Sequence, residues 1–330
     1  MRTWRESASL IIAARNGLKN TQLFDYNLFL LKRQSKGTFG GTMVFPGGVI
    51  EPADADLKWQ NLFKHYSYNE SNFKSLLPKS AKRPEIFRNV QNELPREVSL
   101  RIRAIRETFE ECGILLCTNA PDSTTTEKIV DPFKLSKSEI EFWQRRVHSS
   151  PKEFYVMCEK LDCYPNIWAL YEWANWLTPT IFPVSMRFDT VFFFTTLSYI
   201  PDTKIEMNEI HESMWATPDS IMASHLTSLL PPQRYEITRI SKYKKLDNLF
   251  NYAVEQSRNG IERFVGVRVL LSDGIVHVLP GDSMYPDKVE LHTKQLIDKS
   301  TMTIKEFRDI AKKIHRIEIP EYKDMVLSKY

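Results

Sequence analysis

The run Arg106-Glu107-Thr108-Phe109-Glu110-Glu111-Cys112-Gly113-Ile114 decides the fold of this 330-residue chain. At 3.6 residues per turn, Glu107, Glu110 and Glu111 stand at i, i+3 and i+4, so three carboxylates leave a helix on one side. Val98, Ile102, Ile105, Phe109 and Cys112 recur at spacings of 4, 3, 4 and 3, an apolar stripe of helical period that predicts an inward face. The acids are expected to project outward, together. Carboxylates this close repel one another at neutral pH unless a cation sits among them, and hard divalent ions take such oxygen ligands. Against this stands the fact that Glu is a good helix former and acidic clusters on exposed helices are commonly solvated surface.

The glycines upstream shift the balance. Phe45-Pro46-Gly47-Gly48-Val49-Ile50-Glu51 precedes the helix, and the two segments together resemble the halves of a Nudix box, G-x5-E-x7-R-E-U-x-E-E-x-G-U, with U apolar. Arg106, Glu107, Glu110, Glu111, Gly113 and Ile114 stand in register, and Thr108 occupies an apolar slot. The glycine half is displaced: 57 residues (49–105) separate Gly48 from Arg106 where the uninterrupted pattern has 13, an excess of 44. Counting forward from Gly48 puts Asp54 in the remaining Glu slot, whereas counting back from Arg106 puts Val98 there. A box split in this way is similar to the branch of Nudix hydrolases typified by the peroxisomal acyl-coenzyme A diphosphatase. Leu30-Leu31-Lys32-Arg33-Gln34-Ser35, Trp176-Leu177-Thr178-Pro179, Arg187-Phe188-Asp189-Thr190 and Leu279-Pro280-Gly281-Asp282 carry the likeness along most of the chain.

The resemblance implies an α/β/α sandwich on a mixed sheet, with an insertion at about 55–93 and a C-terminal helical extension. It places the Nudix domain at 1–284 and the extension at 285–330. It implies a hydrolase of a nucleoside diphosphate derivative dependent on Mg2+ or Mn2+, with coenzyme A or acyl-CoA cleaved to 3',5'-ADP and (acyl-)phosphopantetheine. ADP-ribose, a nucleotide sugar or a dinucleotide is the alternative substrate, and a non-catalytic binding module on the same fold the alternative class. Three crowded carboxylates argue against the module, because binding alone has no chemical need for them. Glu107 and Glu111 are expected to ligate metal, with Glu110 a further ligand or the base that deprotonates water. A base outside the box, Glu209 or Glu212, is the alternative. Arg106 is expected, by the same resemblance, to orient a Glu by a bidentate pair and not to touch substrate. Gly47 and Gly48 let backbone approach a phosphate, and Lys32, Arg33 and Arg187 are candidate phosphate partners.

Composition sets outer bounds. A hydrophobic content of 42% and aromatic content of 12% describe an ordinary globular protein. A net charge of +4 is too weak and too evenly spread for a nucleic-acid surface, so the expected partner is a small phosphorylated molecule. Cys112, Cys117, Cys158 and Cys163 form two pairs with four intervening residues each. That spacing, with no His beside either pair, favours free thiols over zinc. The start lacks the pattern of a signal peptide, and no run is long and apolar enough for a membrane span. A soluble intracellular protein is expected, peroxisomal by resemblance and otherwise cytoplasmic or mitochondrial. Ser328-Lys329-Tyr330 matches a peroxisomal C-terminal signal in its first two positions only.

Along the chain, strands are predicted at 8–14, 27–32 and 187–200, the last buried on both faces. A hairpin is predicted about Ser272-Asp273-Gly274. Helices are predicted at 136–147, 164–176, 219–230, 233–256 and 301–317, and 118–128 reads as loop. Trp168, Tyr171, Trp173 and Trp176 are expected in the core. Trp59, Phe63 and Tyr66 have helical spacing, so the insertion is expected to pack. Because both its ends join the box, it is expected either to cover the substrate or to lie against a sheet edge.

Overall fold

A computed structural model describes residues 4–17, 23–36, 39–80, 83–120 and 129–320. The first half carries β1 (Arg5–Arg15), β2 (Tyr26–Arg33), β3 (Met43–Val44) and β4 (Gly47–Val49), then α1 (Trp59–His65) and α2 (Glu70–Phe73) in the insertion, and α3 (Arg96–Cys112). It continues with β5 (Cys117–Thr118), α4 (Lys137–Ser149), α5 (Glu153–Lys160), β6 (Tyr164–Pro165), β7 (Tyr171–Leu177), β8 (Phe188–Leu197) and β9 (Ile210–Ala216). After these come α6 (Pro218–His225), α7 (Pro231–Ile240), α8 (Leu246–Asn259) and β10 (Arg263–Val265). A last unit comprises β11 (Val267–Leu271), β12 (Gly274–Val278), β13 (Leu296–Asp298), α9 (Ile304–Asp309) and β14 (Arg316–Pro320).

The main sheet runs β10-β7-β8-β1-β2-β3, with β4 joined to β1 and β9 to β2. β1 pairs parallel with β8 and antiparallel with β2 and β4, so the sheet is mixed. Side chains of a strand alternate between faces, and β1 divides accordingly. Leu10 and Ile12 join Val98, Ile102, Ile105 and Phe109 of α3, while Ile11 and Ala13 join Ile237, Ile240, Leu249 and Ala253 of α7 and α8. The result is the α/β/α sandwich that the split box implies.

The insertion packs on the α3 side. Trp59 lies 5.8 Å from Phe154 and 5.0 Å from Tyr155 between ring centroids, and Phe63, Tyr68 and Phe73 surround Trp168. Arg83 reaches from the insertion to the buried Glu172 on β7 at 2.8 Å.

Several expected helices have other forms. The segment 164–176 forms β6, a 3-10 turn and β7, because its aromatic rings suit a pleated surface covered on both sides as well as they suit a helix. Trp173 and Trp176 are buried as expected, both donating their ring N–H groups to Glu236. The single helix at 233–256 is broken after Ile240, where Tyr26 donates to the Tyr243 carbonyl and Asp25 accepts from Leu246 N. The tail at 301–317 is helical only over Ile304–Asp309. Beyond it Asp282 takes His315 N and two Arg316 nitrogens, which holds the chain extended as β14 beside β12. The expected helical extension at 285–330 therefore holds one short helix, and its strands β13 and β14 join β11 and β12, which precede it, in a four-stranded sheet. The 272–274 hairpin joins β11 to β12 within that sheet. Part of the 118–128 loop and the whole of Ser328-Lys329-Tyr330 lie outside the described residues.

Candidate active site

Pro95 precedes α3, and Gly113, at φ 75°, stops it. The helix is buried along nearly its whole length, so its acids do not face solvent: Glu107 is 8% exposed and Glu111 3%. The face opposite the apolar stripe is covered by β4, by α4 and by the loop before β9, whose Lys204 and Glu206 amides donate to the Cys112 and Glu111 carbonyls.

The displaced Glu slot is filled by Asp54. Arg106 donates from Nε to Asp54 Oδ1 at 2.7 Å and from Nη2 to Asp54 Oδ2 at 3.2 Å, both residues being almost wholly buried. The forward count from Gly48 is thus the structural one, and the excess residues enter after Asp54. The bidentate pair expected between Arg106 and a Glu is made with this aspartate instead. The third Arg106 nitrogen donates to Glu110 at 2.6 Å.

Glu107 pairs with Arg103 at 2.6 Å and Arg106 at 3.2 Å. Glu111 accepts from Gly47 N at 2.9 Å, and Glu110 meets His148 Nδ1 at 3.2 Å. Burial raises all three carboxyls. Glu107 adds repulsion at Glu111 and at Glu110, which is pushed up to about 7. At Arg106 burial acts downward, but Asp54, Glu107 and Glu110 outweigh it and hold the guanidinium charged. Gly48 permits this closeness, since a Cβ there would lie 2.5 Å from Arg103 Nη2 and 2.6 Å from Glu107 Oε2.

Glu107 and Glu110 open into a cavity of about 720 Å3, whereas Glu111, held by Gly47 N, is not among its lining residues. Gly47, Gly48, Glu51, Arg33, Arg103, Arg106, His148 and Glu209 line it as well. Phe39, Trp176, Phe182, Phe188, Phe192 and Leu279 supply its apolar lining. The segments noted around Trp176, Phe188 and Leu279 therefore converge here. Arg33 lies 4.0 Å from Glu209, the one of the two outside acids that reaches the cavity; Glu212 does not line it.

Two candidate phosphate partners stand elsewhere. Lys32, next to Arg33 on β2, is not among the lining residues. Arg187 is 2% exposed and donates to the Thr178 and Leu291 carbonyls, so it ties the β7–β8 connection to the last unit. No residue of the insertion lines the cavity among the described residues; it buttresses α3 from behind. Arg103 and His148 are not among the candidates that the sequence offers. Arg103 had a signal, its i,i+4 relation to Glu107, whereas His148 sits on a separate helix with no motif around it.

Residues 4–240 match the family model described as the NUDT19 Nudix domain, and 268–327 the one described as the NUDT19 C-terminal domain. The chain is 35% identical to a Xenopus laevis protein named acyl-coenzyme A diphosphatase NUDT19, over 99% of this chain and 93% of that one. It is 31% identical to the Homo sapiens protein of the same name, over 95% and 88%. A solved NUDIX hydrolase from Alicyclobacillus acidocaldarius shares the fold with a TM-score of 0.54 at 16% identity, covering 76% of this chain and 97% of that chain.

Proposed function

This chain belongs to the Nudix hydrolases, in their NUDT19 branch, and on that premise we propose that it hydrolyses the diphosphate of coenzyme A or acyl-CoA, giving 3',5'-ADP and (acyl-)phosphopantetheine. The observation that carries the reading is one cavity lined both by charged groups, Glu107, Glu110 and Arg33 among them, and by aromatic rings, Phe182 and Trp176 among them. A molecule with a diphosphate joined to a long, weakly polar arm matches both kinds of lining, and burying that arm stabilises binding by about 25 cal/mol per Å2 of apolar surface.

Nudix hydrolases act with a divalent metal ion. The donor chemistry suits one: three carboxylates with hard oxygens, raised by burial and by the Glu107 charge, which a cation would relieve, their oxygens drawing together around it from a wider spacing than that of the three buried thiols. Glu107 and Glu111 would hold the ion, Glu110 being a further ligand or the base, and Mg2+ and Mn2+ are the candidates. When bound, the ion supplies positive charge at the diphosphate oxygens and lowers the pKa of a coordinated water.

The chain's own groups do the rest. Asp54 fixes Arg106, which in turn positions Glu107 and Glu110. Gly47 N orients Glu111, and Gly48 leaves the floor without a side chain so that phosphate can approach. Arg33, whose charge acts on Glu107 and Glu111 and whose ion pair with Glu209 spans 4.0 Å, is the cation placed to meet phosphate. Glu209 is the alternative base. Phe39, Phe182 and Phe188, whose rings lie 6.3–6.4 Å apart around Phe39, form the wall for the arm.

The test is kcat/KM for coenzyme A, acyl-CoA, ADP-ribose, NADH and dinucleoside polyphosphates, each with Mg2+ and with Mn2+. Coenzyme A species should lead; a clear preference for ADP-ribose overturns the substrate assignment. Among the described residues no helix is long and apolar enough to cross a membrane. A peroxisomal location belongs to the same proposal, and microscopy of the chain with and without its last three residues tests it.

A further inference from the structure

Cys117, Cys158 and Cys163 come from three places in the chain: the strand after the catalytic helix, the last turn of α5, and the turn that leads into β6. The fold brings their sulfurs within 4.8 Å of one another, all buried, with no disulfide among them. Cys112, which sequence spacing would pair with Cys117, instead turns back to the Thr108 carbonyl on its own helix. The backbone holds the cluster from each side. Cys163 N donates to the Cys158 carbonyl, Asn166 N to the Leu116 carbonyl, and Cys117 is registered with Pro165.

We propose that these three thiols form a site for a soft d10 cation, with Zn2+ as its reference ion, separate from the hard-ion carboxylates of α3. At a metal–sulfur distance of about 2.3 Å, tetrahedral geometry sets sulfurs about 3.8 Å apart, so the observed spacing closes on an ion with a contraction of about 1 Å at most. Thiolates select Zn2+ and Cu+ over Mg2+, whereas the carboxylates of α3 have the opposite preference. Three sulfurs leave one position of a four-coordinate ion to a ligand from outside this set. Simple packing would be served by Val or Ala at these positions, with no polar hydrogens to place. Thiols ligate only after losing their protons, so binding strengthens as pH rises.

The probe is Cd2+ added to the reduced, metal-stripped full-length protein, read by sulfur-to-cadmium charge-transfer absorption. One equivalent should produce the band, excess Zn2+ should remove it, and excess Mg2+ should leave it unchanged. Cys112→Ser should retain the band and Cys163→Ser should lose it. Alkylation of the wild-type chain in moderate denaturant provides a readout that does not depend on a variant folding. Zn2+ should protect Cys117, Cys158 and Cys163 and leave Cys112 reactive. Absence of the band in the wild-type protein, its persistence in Cys163→Ser, or equal labelling of all four thiols with and without Zn2+ overturns the site.

Discussion

Asp54 and Arg106 lie 52 positions apart in sequence and meet through two hydrogen bonds of 2.7 and 3.2 Å with almost no solvent around either. This pair rejoins the two halves of the box behind the insertion. Removing one partner of a buried ion pair leaves the other charge uncompensated, at a cost of about 3–5 kcal/mol. Asp54→Ala should lose stability on that scale in urea unfolding. It should also lower kcat, because Arg106 then ceases to hold Glu107 and Glu110. Unchanged stability would mean that Arg106 is satisfied by Glu107 and Glu110 alone.

Glu111→Gln isolates the metal role from the structural one. A glutamine carbonyl can still accept from Gly47 N, so the fold and its melting temperature should survive. The ligand charge is lost, and turnover should fall by at least the roughly 100-fold seen when metal-site neighbours are removed. Wild-type turnover at limiting Mg2+ would take Glu111 out of the metal set.

Adjacent glycines should separate stability from activity. A Cβ at Gly47 would sit 2.3 Å from the Ala8 carbonyl oxygen, and the residue has φ 152°, so Gly47→Ala strains backbone and should cost about 1–3 kcal/mol or more. At Gly48 the atoms nearest the Cβ are the ends of the Arg103 and Glu107 side chains and not backbone, and these can move. Gly48→Ala should therefore keep most of its stability and lose activity through displaced Glu107. Thermal melts and kcat measured on both variants decide it, and loss in the reverse order would refute the account.

The parts of this arrangement legible in the sequence are those where one pattern determines one structure. The alternation of β1, the stripe and acids of α3, and the Gly113 stop are local signals that tertiary packing reinforces. β7 forms where a helix is expected because Tyr171, Trp173 and Trp176 have no period strong enough to choose between helix and strand; the choice is made by β8 and β10 on either side. Burial of the acids could not be foreseen, since the covering groups come from α4 and from 203–209. Asp54 was one of two candidates until the ion pair with Arg106 chose it. The three thiols are separated by 40 residues on one side, and only the packing of α5 against β5 and β6 unites them.

Trp59→Ala tests the insertion as a buttress. The ring is 1% exposed, donates to the Ala53 carbonyl and packs on Phe154 and Tyr155, so truncation should cost about 3–5 kcal/mol. KM for acyl-CoA, measured below the lowered melting point, should stay near wild type because the insertion does not line the cavity. A large rise in KM for acyl-CoA, without one for a small diphosphate substrate, would restore a covering role.

His277 links acid stability to the small C-terminal sheet. It is 5% exposed on β12, opposite Arg268, and burial together with that charge lowers its pKa from 6.5 to about 3. In the unfolded chain the imidazole takes a proton as pH falls through about 6.5, while the folded one resists until about 3. Between those values the unfolded state binds more protons, so stability is present above pH 6.5 and declines as pH falls through the window. His277→Gln keeps a neutral polar side chain and removes this titration, whereas every buried carboxylate titrates alike in both proteins. Urea unfolding from pH 7 to 4 should therefore show the wild-type protein losing stability more steeply than the variant. Parallel slopes would mean that His277 already accepts its proton in the folded sheet.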